Sequence, residues 1–540
     1  MEKFENESTF QKFLESGKEE EFDHLFDQAV ENVKSTVLGK EFPLFMGGNE
    51  MLTKEKMDEF SPIDKLYLGK FQKADRETAR QAIQTAALAF ESWKTVGYKE
   101  RVRIFRNAAD IFSREKFKVA AILSIENGKS RYESVGEVDE AIDFLRYYSY
   151  ELEKNKGYSL KKRFGGSESA VSAGFQGAPG VEEAVEIRLL PYGVFGVIAP
   201  FNFPISISVG MSTGAMITGN TVIFKPSASG NSTMLTGHEI AKIFKEAGIP
   251  PGVFNYVTGS GSEVGDELVI NPSVNGVVFT GSRSVGLDMI KKSAGLYLNK
   301  VFIVEMGGKN PAIVSKYADL DTAVDGIASS AFGFAGQKCS ACSRVFVHEA
   351  VKDEFLKKLI EKLKHMKIGD PLKKGNFIGP LIGDGALKTY KEAVDEASKS
   401  GKVVYGGKQV EIGLKGIYVE PAVAVVPETN VLFHKELFVP FLSVDSYKRF
   451  SDVMKKANDV EYGLTAGLYT KKRSEIKEFL KSIQAGVIYI NRRIGATTGA
   501  IVGVHSFVGW KGSGLTGKGT GSKFYLQQFM HEQSRSISLD

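Results

Sequence analysis

The sequence predicts an α/β fold built on parallel sheets, and three observations lead to this prediction. Short apolar segments alternate with helical patterns between residues 194 and 304, beginning with 194–199 and 221–225. Such alternation is typical of βαβ units in a parallel sheet that helices cover on both faces. Polar residues or glycines stand at or just past several of these strand ends, where ligands of such sheets bind. A further apolar strand at 344–347, with helical patterns after it, predicts a second α/β unit.

Helical patterns dominate the first part of the chain, because apolar residues recur there at helical spacing. These patterns lie in the charged segment 1–40 and at 75–93, 101–125 and 138–148. A short strand and turn is predicted at 43–48, and a loop rich in Gly, Ser and Ala at 165–180. The remaining predicted strands are 253–257, 274–279 and 301–304, and the helices beside them are 206–218, 232–247, 352–364 and 388–400.

Composition narrows the class of protein. Among 540 residues, 70 are basic and 65 acidic, a net charge of +5 that does not favour nucleic acid or an anionic membrane as partner. No apolar run approaches the roughly 18 residues of a membrane span. The N-terminus is acidic and has no apolar signal region, so a cytoplasmic protein is expected. Two cysteines cannot form a disulfide framework, and seven scattered His without ligand motifs predict no bound metal.

Cys339 is the candidate nucleophile. It stands among small residues in the stretch 336–341 (GQKCSA), which leaves room for an electrophilic carbon to approach the sulfur. A thiolate is a strong nucleophile even when it is only partly ionised. The alternative is a buried structural cysteine, which is the usual position of a free cysteine. Cys342, three residues later, is interpreted as a small residue of the same turn rather than the second half of a redox pair.

Two further side chains suit covalent chemistry. Asn202 lies in a loop between two prolines, where its amide could donate to a developing oxyanion. Glu305 ends a predicted strand in apolar surroundings, which could raise its pKa and make it a general base. Taken singly, each residue favours the ordinary interpretation, an Asn bonded to its own backbone and a capping or ion-paired Glu.

Three residues suit a dinucleotide. Gly281 and Ser282 join a strand to a helix, and backbone N–H groups at a helix start can bind a pyrophosphate. Lys225 ends a strand and could contact ribose hydroxyls or a phosphate. The alternatives are an ordinary helix cap at Ser282 and a solvated surface lysine at position 225.

Taken together and in this order, these motifs resemble the aldehyde dehydrogenase superfamily over nearly the whole chain. The likeness continues through 434–440, 462–465 and 509–514. The resemblance implies an aldehyde dehydrogenase-like α/β fold with two parallel-sheet domains and a β oligomerisation arm. It implies an NAD(P)-binding domain (1–155 and 189–305), a catalytic domain (306–515), an arm (156–188 and 516–540) and a homo-oligomer.

The resemblance also implies a mechanism with NAD or NADP as cofactor. Cys339 attacks the aldehyde carbon, the Asn202 side chain and the Cys339 N–H hold the oxyanion, and Glu305 activates water. A Glu at this position favours hydrolysis over transfer to coenzyme A. Cofactor binding is assigned to Lys225, Gly281, Ser282, Val285, Glu436 and Phe438. Ala228 stands where strictly NAD-using relatives often have Glu, so NADP use stays open.

Several motifs look like the 1-pyrroline-5-carboxylate dehydrogenase branch, which oxidises L-glutamate γ-semialdehyde to L-glutamate in proline degradation. The resemblance assigns substrate binding to Ser340, Gly499, Ala500, Phe203, Phe507 and Glu140. Hydroxyl and amide donors suit an α-carboxylate, and Glu140 suits an α-ammonium. The chain departs from the branch in about three extra residues before 498–500 and in the sequence SFVG at 506–509.

Two alternatives stay open at this point. One is oxidation of a different semialdehyde or hydroxyaldehyde by the same chemistry. The other is a non-catalytic binding protein on the same fold, which has no evident need for Cys339, Glu305 and Asn202 together.

Overall fold

The computed structural model describes residues 4–164, 183–228, 233–296 and 300–538. The loop predicted at 165–180 lies outside the described residues. The helices, in chain order, are α1 (Thr9–Glu15), α2 (Glu19–Thr36), α3 (Arg76–Trp93), α4 (Tyr98–Arg114), α5 (Lys116–Asn127), α6 (Arg131–Lys154), α7 (Ser206–Ile217), α8 (Met234–Glu246), α9 (Asp266–Ile270), α10 (Arg283–Ser293), α11 (Leu320–Phe332), α12 (Lys352–Lys364), α13 (Asp384–Ser400), α14 (Phe450–Asn458) and α15 (Arg473–Ser482).

The strands divide among several sheets. Those of the first half are β1 (Lys40–Phe42), β2 (Leu44–Met46), β3 (Asn49–Met51), β4 (Lys56–Phe60), β5 (Tyr67–Gln72), β6 (Ser159–Phe164), β7 (Glu183–Pro191), β8 (Val194–Ile198), β9 (Thr221–Lys225), β10 (Phe254–Tyr256), β11 (Gly276–Gly281) and β12 (Val301–Met306). Those of the second half are β13 (Asn310–Val314), β14 (Cys342–His348), β15 (Lys402–Tyr405), β16 (Gln409–Val410), β17 (Tyr418–Val419), β18 (Ala422–Val425), β19 (Phe441–Tyr447), β20 (Tyr462–Gly463), β21 (Thr465–Tyr469), β22 (Val487–Ile490), β23 (Trp510–Lys511) and β24 (Met530–Ser538).

The first large sheet has seven strands in the order β12-β11-β8-β9-β10-β2-β3. Strands β8 to β12 pair in parallel, which confirms the predicted βαβ series. The hairpin β2–β3 adds an antiparallel edge. Strands β8 and β9 are buried along their whole length, as expected for a sheet covered on both faces.

The second large sheet also has seven strands, in the order β15-β18-β19-β14-β13-β21-β22. Its pairs are parallel except for β15 with β18. The predicted second α/β unit is therefore confirmed. Its helices α11 and α12 pack their apolar faces on this sheet, where Phe332, Phe355 and Leu359 are fully buried.

The predicted N-terminal helices are present with one change. The single pattern at 101–125 divides into α4 and α5, which meet at Glu115. The start of α3 is capped by Asp75, whose carboxylate accepts a hydrogen bond from the Thr78 N–H at 2.8 Å.

In the described part of the chain, no helix is long and apolar enough to cross a membrane.

A smaller antiparallel sheet combines β6, β7 and β24, which come from the segments assigned to an arm. Its β7–β24 ladder runs from the Pro191–Met530 pair to the Glu183–Ser538 pair. This sheet presents the side chains of Leu160, Ile187 and Ile537 to solvent. The division of the chain into domains and an arm stays a prediction.

We expect Gly276→Ala to lower the free energy of unfolding by about 1–3 kcal/mol, because the core cannot accept the added methyl group. A Cβ at Gly276 would lie 2.2 Å from a ring atom of Phe195 on the neighbouring strand β8. Thermal or urea unfolding measures the change. The control is Gly136→Ala on α6, where a Cβ meets nothing within 4 Å. This control should stabilise the protein by about 0.5–1 kcal/mol. Equal stabilities of the two variants would contradict the β8–β11 register.

Candidate active site

A cavity of about 400 Å³ lies at the carboxyl ends of β8, β11 and β12, beside the start of the second sheet. Nine of the residues predicted from sequence line it: Asn202, Gly281, Ser282, Val285, Glu305, Cys339, Glu436, Phe438 and Phe507. Six other predicted residues lie outside this lining: Lys225, Phe203, Ser340, Glu140, Gly499 and Ala500. The structure therefore brings the three predicted reacting groups to one space.

Cys339 lies in a tight turn between α11 and β14. The turn begins with Phe334 and Ala335 in left-handed backbone conformation, both with φ of 51°. The backbone oxygen of Cys339 accepts a hydrogen bond from Asn310 Nδ2 at 2.7 Å. Gln337 Oε1 accepts the Ile382 N–H at 2.8 Å, which ties the turn to a distant loop. The nucleophile is thus held by backbone geometry that the tertiary structure imposes.

The surroundings of the Cys339 sulfur favour the protonated thiol over the thiolate. Burial raises the pKa of the thiol to about 12, and the carboxylates of Glu436 and Glu305 add to the increase. The N–H groups of Ser340 and Cys339 lie at the sulfur and lower the pKa in part. A base close to the sulfur is therefore needed before the sulfur can react.

Glu305 lies near the end of β12 and lines the same cavity as Cys339. Its Oε1 accepts only a long hydrogen bond from the Gly509 N–H, at 3.4 Å. Its Oε2 is buried and has no hydrogen-bond partner among the residues that the structure describes. Burial raises the pKa of Glu305 to about 8, so its carboxyl can gain and lose a proton near neutral pH. Glu305 therefore neither caps a helix nor forms an ion pair among the described residues, and its role as a general base stays a prediction.

The Asn202 side chain points from the loop after β8 toward the nucleophile turn. Its Nδ2 donates to the backbone oxygen of Gln337 at 3.1 Å, and the residue is 3% exposed. The second N–H of this amide remains available to an oxygen in the cavity. The geometry thus favours the predicted oxyanion donor over an Asn bonded to its own backbone.

Lys129 supports the Asn202 loop and was not predicted from the sequence. Its ammonium donates to the Asn202 backbone oxygen at 2.6 Å and lies 3.6 Å from the centre of the Phe203 ring. It also pairs with Glu137, and both side chains are fully buried. Glu137 in turn accepts the Ile205 N–H at 2.8 Å. The ion pair therefore fixes both ends of the loop that carries Asn202.

Five of the six predicted cofactor residues line the cavity, here called the cofactor cradle: Gly281, Ser282, Val285, Glu436 and Phe438. A Cβ at Gly281 would lie 2.4 Å from the Phe279 ring, so only glycine allows this close approach of the backbone. Ser282 caps α10 by accepting the Val285 N–H at 3.4 Å, which places this helix start at the cavity. The Glu436 carboxylate accepts the Gly308 N–H at 2.8 Å on the opposite side.

The sequence left open the alternative that Lys225 is a solvated surface lysine. The structure excludes this alternative, because Lys225 is only 5% exposed. Its Nζ donates to the Pro226 backbone oxygen at 3.3 Å. Burial lowers the pKa of Lys225 to about 8. Its contact with a ribose stays a prediction.

The predicted substrate residues are spread over α6, the loop after β8, the turn that carries Cys339 and the segment between β22 and β23. The loop carrying Gly499 and Ala500 is tied to this turn by Thr497, whose Oγ1 donates to the Ser340 backbone oxygen at 2.6 Å. Glu140 projects from α6 near Ser206, and burial raises its pKa to about 7. Their roles in substrate binding stay predictions.

Fifteen residues of the cavity lining were not predicted, and two of them lie in the segment assigned to the arm. Thr520 and Tyr525 line the cavity before β24 begins at Met530. The Thr520 backbone oxygen accepts the Phe507 N–H at 3.1 Å, which explains why this segment returns to the site. Their positions depend on this distant pairing, and no local pattern marks it.

A model of the aldehyde dehydrogenase family matches residues 50–534. The chain belongs to the aldehyde dehydrogenase family. A 1-pyrroline-5-carboxylate dehydrogenase of Geobacillus sp. (strain WCH70) is 35% identical over 520 residues, which are 95% of each chain. The crystal structure of 1-pyrroline-5-carboxylate dehydrogenase from Thermus with bound NAD is similar with a TM-score of 0.89 and 33% identity, and the match covers 99% of each chain. An NADP dependent enzyme of E. coli has a TM-score of 0.83 and 30% identity over 94% of this chain and 99% of that one.

As in other buried acids, the raised pKa of Glu305 links its ionisation to stability. Between pH 4.5 and about 8, the unfolded chain releases this proton while the folded protein keeps it, so the carboxyl lowers stability as pH rises. We expect the free energy of unfolding of Glu305→Gln, relative to that of the original chain, to rise by about 1.4 kcal/mol for each pH unit in this window. Above the window the difference between the two proteins should stay constant.

Unfolding by urea at pH 5, 6, 7, 8 and 9 measures this difference. The control is Glu392→Gln, whose side chain on α13 is 61% exposed. It should show no such trend. A Glu305→Gln difference that is constant over the whole range would contradict a buried, proton-holding carboxyl.

Proposed function

We propose that this aldehyde dehydrogenase oxidises L-glutamate γ-semialdehyde to L-glutamate with NAD or NADP. The observation that carries the proposal is the convergence of Cys339, Asn202 and Glu305 on one cavity that also contains the cofactor cradle. The relatives named 1-pyrroline-5-carboxylate dehydrogenase support the choice of substrate.

Catalysis begins with proton transfer. Because burial holds the Cys339 thiol protonated, ionised Glu305 accepts its proton, directly or through water. The sulfur then bonds to the aldehyde carbon, and the carbonyl oxygen becomes an oxyanion. The Asn202 amide and the Cys339 N–H donate to this oxygen. Lys129 keeps the amide in place throughout, since it holds the backbone of the same residue.

NAD(P)⁺, when bound, supplies the acceptor for the hydride that the thiohemiacetal loses. Gly281, Ser282 and Val285 would hold its pyrophosphate at the start of α10, Lys225 its ribose, and Glu436 with Phe438 its nicotinamide end. Glu305 passes the thiol proton to solvent and then accepts a proton from water, which attacks the thioester carbon; the C–S bond breaks, the carboxylic acid leaves and the cysteine sulfur is regenerated. The cavity walls exclude further water, since most of them are apolar side chains.

The charged ends of glutamate semialdehyde match groups on either side of the nucleophile turn. Ser340 and the amides of Gly499 and Ala500 supply neutral donors for the α-carboxylate. Glu140 supplies a carboxylate for the α-ammonium. Phe507 and Phe203 flank the aliphatic stem. These assignments explain how the site would select an amino acid semialdehyde over an uncharged aldehyde.

The three-stranded sheet of β6, β7 and β24 supports a homo-oligomer, because exposed apolar side chains on a sheet are suited to a second subunit. The proposed partners are therefore copies of this chain and a small aldehyde. We place the reaction in the cytoplasm.

The original chain should oxidise glutamate semialdehyde with kcat/KM at least about tenfold above those for succinate semialdehyde and pentanal, which lack one or both charged groups. NAD(P)H formation measures each rate. Cys339→Ala should abolish oxidation of every aldehyde, whereas Cys342→Ala, the matched control in the same stretch, should retain it. Preference for another semialdehyde would contradict the substrate, and an active Cys339→Ala protein would contradict the mechanism.

Ala228→Glu should raise KM for NADP⁺ about tenfold or more while leaving KM for NAD⁺ nearly unchanged, because a carboxylate three residues after Lys225 would repel a 2′-phosphate. Steady-state kinetics with each cofactor measures the change. Ala228→Gln has the same size without the charge and should not discriminate. An equal effect of the two substitutions would mean that the ribose end binds elsewhere.

A further inference from the structure

The N-terminal segment 4–9, here called the strap, lies between α6 and the loop 499–503. Asn6 makes the central contact, since its Nδ2 donates both to Asp143 Oδ2 at 2.7 Å and to the Val502 backbone oxygen at 3.0 Å. One amide therefore joins the helix to the loop. Asp143 and Val502 are both buried, so each acceptor depends on this donor.

Phe4 makes a second, apolar contact across the same two elements. Its ring packs edge-on against Tyr147 of α6, with ring centres 5.1 Å apart. A Cβ at Gly503 would lie 2.8 Å from Phe4 and 2.9 Å from Tyr147, so the loop backbone lies directly against both rings. The loop therefore meets the helix at two neighbouring positions, at Val502 through Asn6 and at Gly503 through Phe4 together with Tyr147.

The rest of the strap is fixed to α6. The Glu7 N–H donates to Asp143 Oδ1 at 2.8 Å, and the Thr9 N–H donates to Asp139 Oδ2 at 2.6 Å. Lys116 of α5 donates to Thr9 Oγ1 at 2.6 Å and pairs with Glu7. Because several buried polar bonds hold it to the helix, the strap can transmit the position of α6 to the loop.

These two elements carry the proposed recognition groups for the two ends of the amino acid. Glu140 lies on α6 between Asp139 and Asp143, which are the two strap-bound carboxylates. Gly499 and Ala500 lie in the loop, two and three residues before Val502. The distance between the ammonium-binding group and the carboxylate-binding amides therefore depends on the strap.

We propose that the strap, through Asn6 and Phe4, is a positioning element that sets this distance and thereby the selectivity for an α-amino acid semialdehyde. This inference rests on the proposed function for the identity of the substrate. Asn6 and Phe4 are positioning residues that act on the loop and need not touch the substrate. The reacting groups Cys339 and Glu305 are held by other contacts, with Asn310 and Gly509, so the chemical step does not depend on the strap.

The test is Asn6→Leu, which keeps the size of the side chain and removes both hydrogen bonds. We expect KM for glutamate semialdehyde to rise about tenfold or more, because both hydrogen bonds are lost, with kcat nearly unchanged. Kinetics with pentanal should not change, since pentanal has neither charged group. The matched control is Asn32→Leu, whose side chain is exposed on α2, and it should leave the kinetics with both substrates unchanged.

Phe4→Leu provides a second variant that leaves every polar contact of the strap intact. It tests the proposed role of the strap if Asn6→Leu does not fold. It should raise KM for glutamate semialdehyde in the same selective way. Binding of glutamate, measured by calorimetry, should weaken in both strap variants by the same factor as KM rises.

The outcomes separate the two proposals. If the original chain shows no preference for glutamate semialdehyde over pentanal, the proposed function fails. If it does show this preference and the strap variants keep it unchanged, the strap inference fails and the proposed function stands. A parallel loss of activity toward both aldehydes with a lower melting temperature would also overturn the inference, because it indicates a structural role alone.

Discussion

The burial of two ionisable groups in one cavity is the constraint on which the site depends. Burial raises the pKa of both Cys339 and Glu305, so each favours its neutral form. In such a place a carboxyl that ionises near pH 8 is a much stronger base than a carboxyl in water. The same burial strengthens the hydrogen bonds from Asn202 to a developing oxyanion. The apolar strands β11 and β12 are therefore part of the chemistry as well as of the core.

The nucleophile turn holds its shape because side chains from several elements bind its backbone. Asn310 is central, since its Nδ2 donates to the backbone oxygens of Cys339 and Ala341 and its Oδ1 accepts the Thr465 N–H at 3.0 Å. One side chain thus joins β13, the turn and β21. Gly308 belongs to the same arrangement, because a Cβ there would lie 2.6 Å from the Cys339 oxygen. A larger residue would displace the cysteine itself.

Sequence predicted the groups that stand at strand ends and could not predict those that depend on distant pairing. Asn202 and Glu305 were found because β8 and β12 are short apolar strands whose ends are visible in the pattern. Lys129 was missed, since its partner Asn202 is 73 residues away and nothing near position 129 marks a buried cation. Tyr525 was missed for the same reason. The two large sheets were predictable from alternation, and the strand and turn predicted at 43–48 are present as β2 and the turn after it. The pairing of β2 with β10 is tertiary, so local pattern did not place this strand at the antiparallel edge.

Helix α6 links the parts of the site that loops alone could not hold in register. Acidic residues recur along it at helical spacing and therefore lie on one side. Glu133 pairs with Lys338, next to the nucleophile, and Glu137 pairs with Lys129, behind the oxyanion donor. Further along, Asp143 binds the strap. Because buried carboxylates are costly without partners, each one requires its own segment to stay in contact with the helix. One rigid helix thereby fixes the relative positions of the nucleophile turn, the Asn202 loop and the strap-bound loop 499–503.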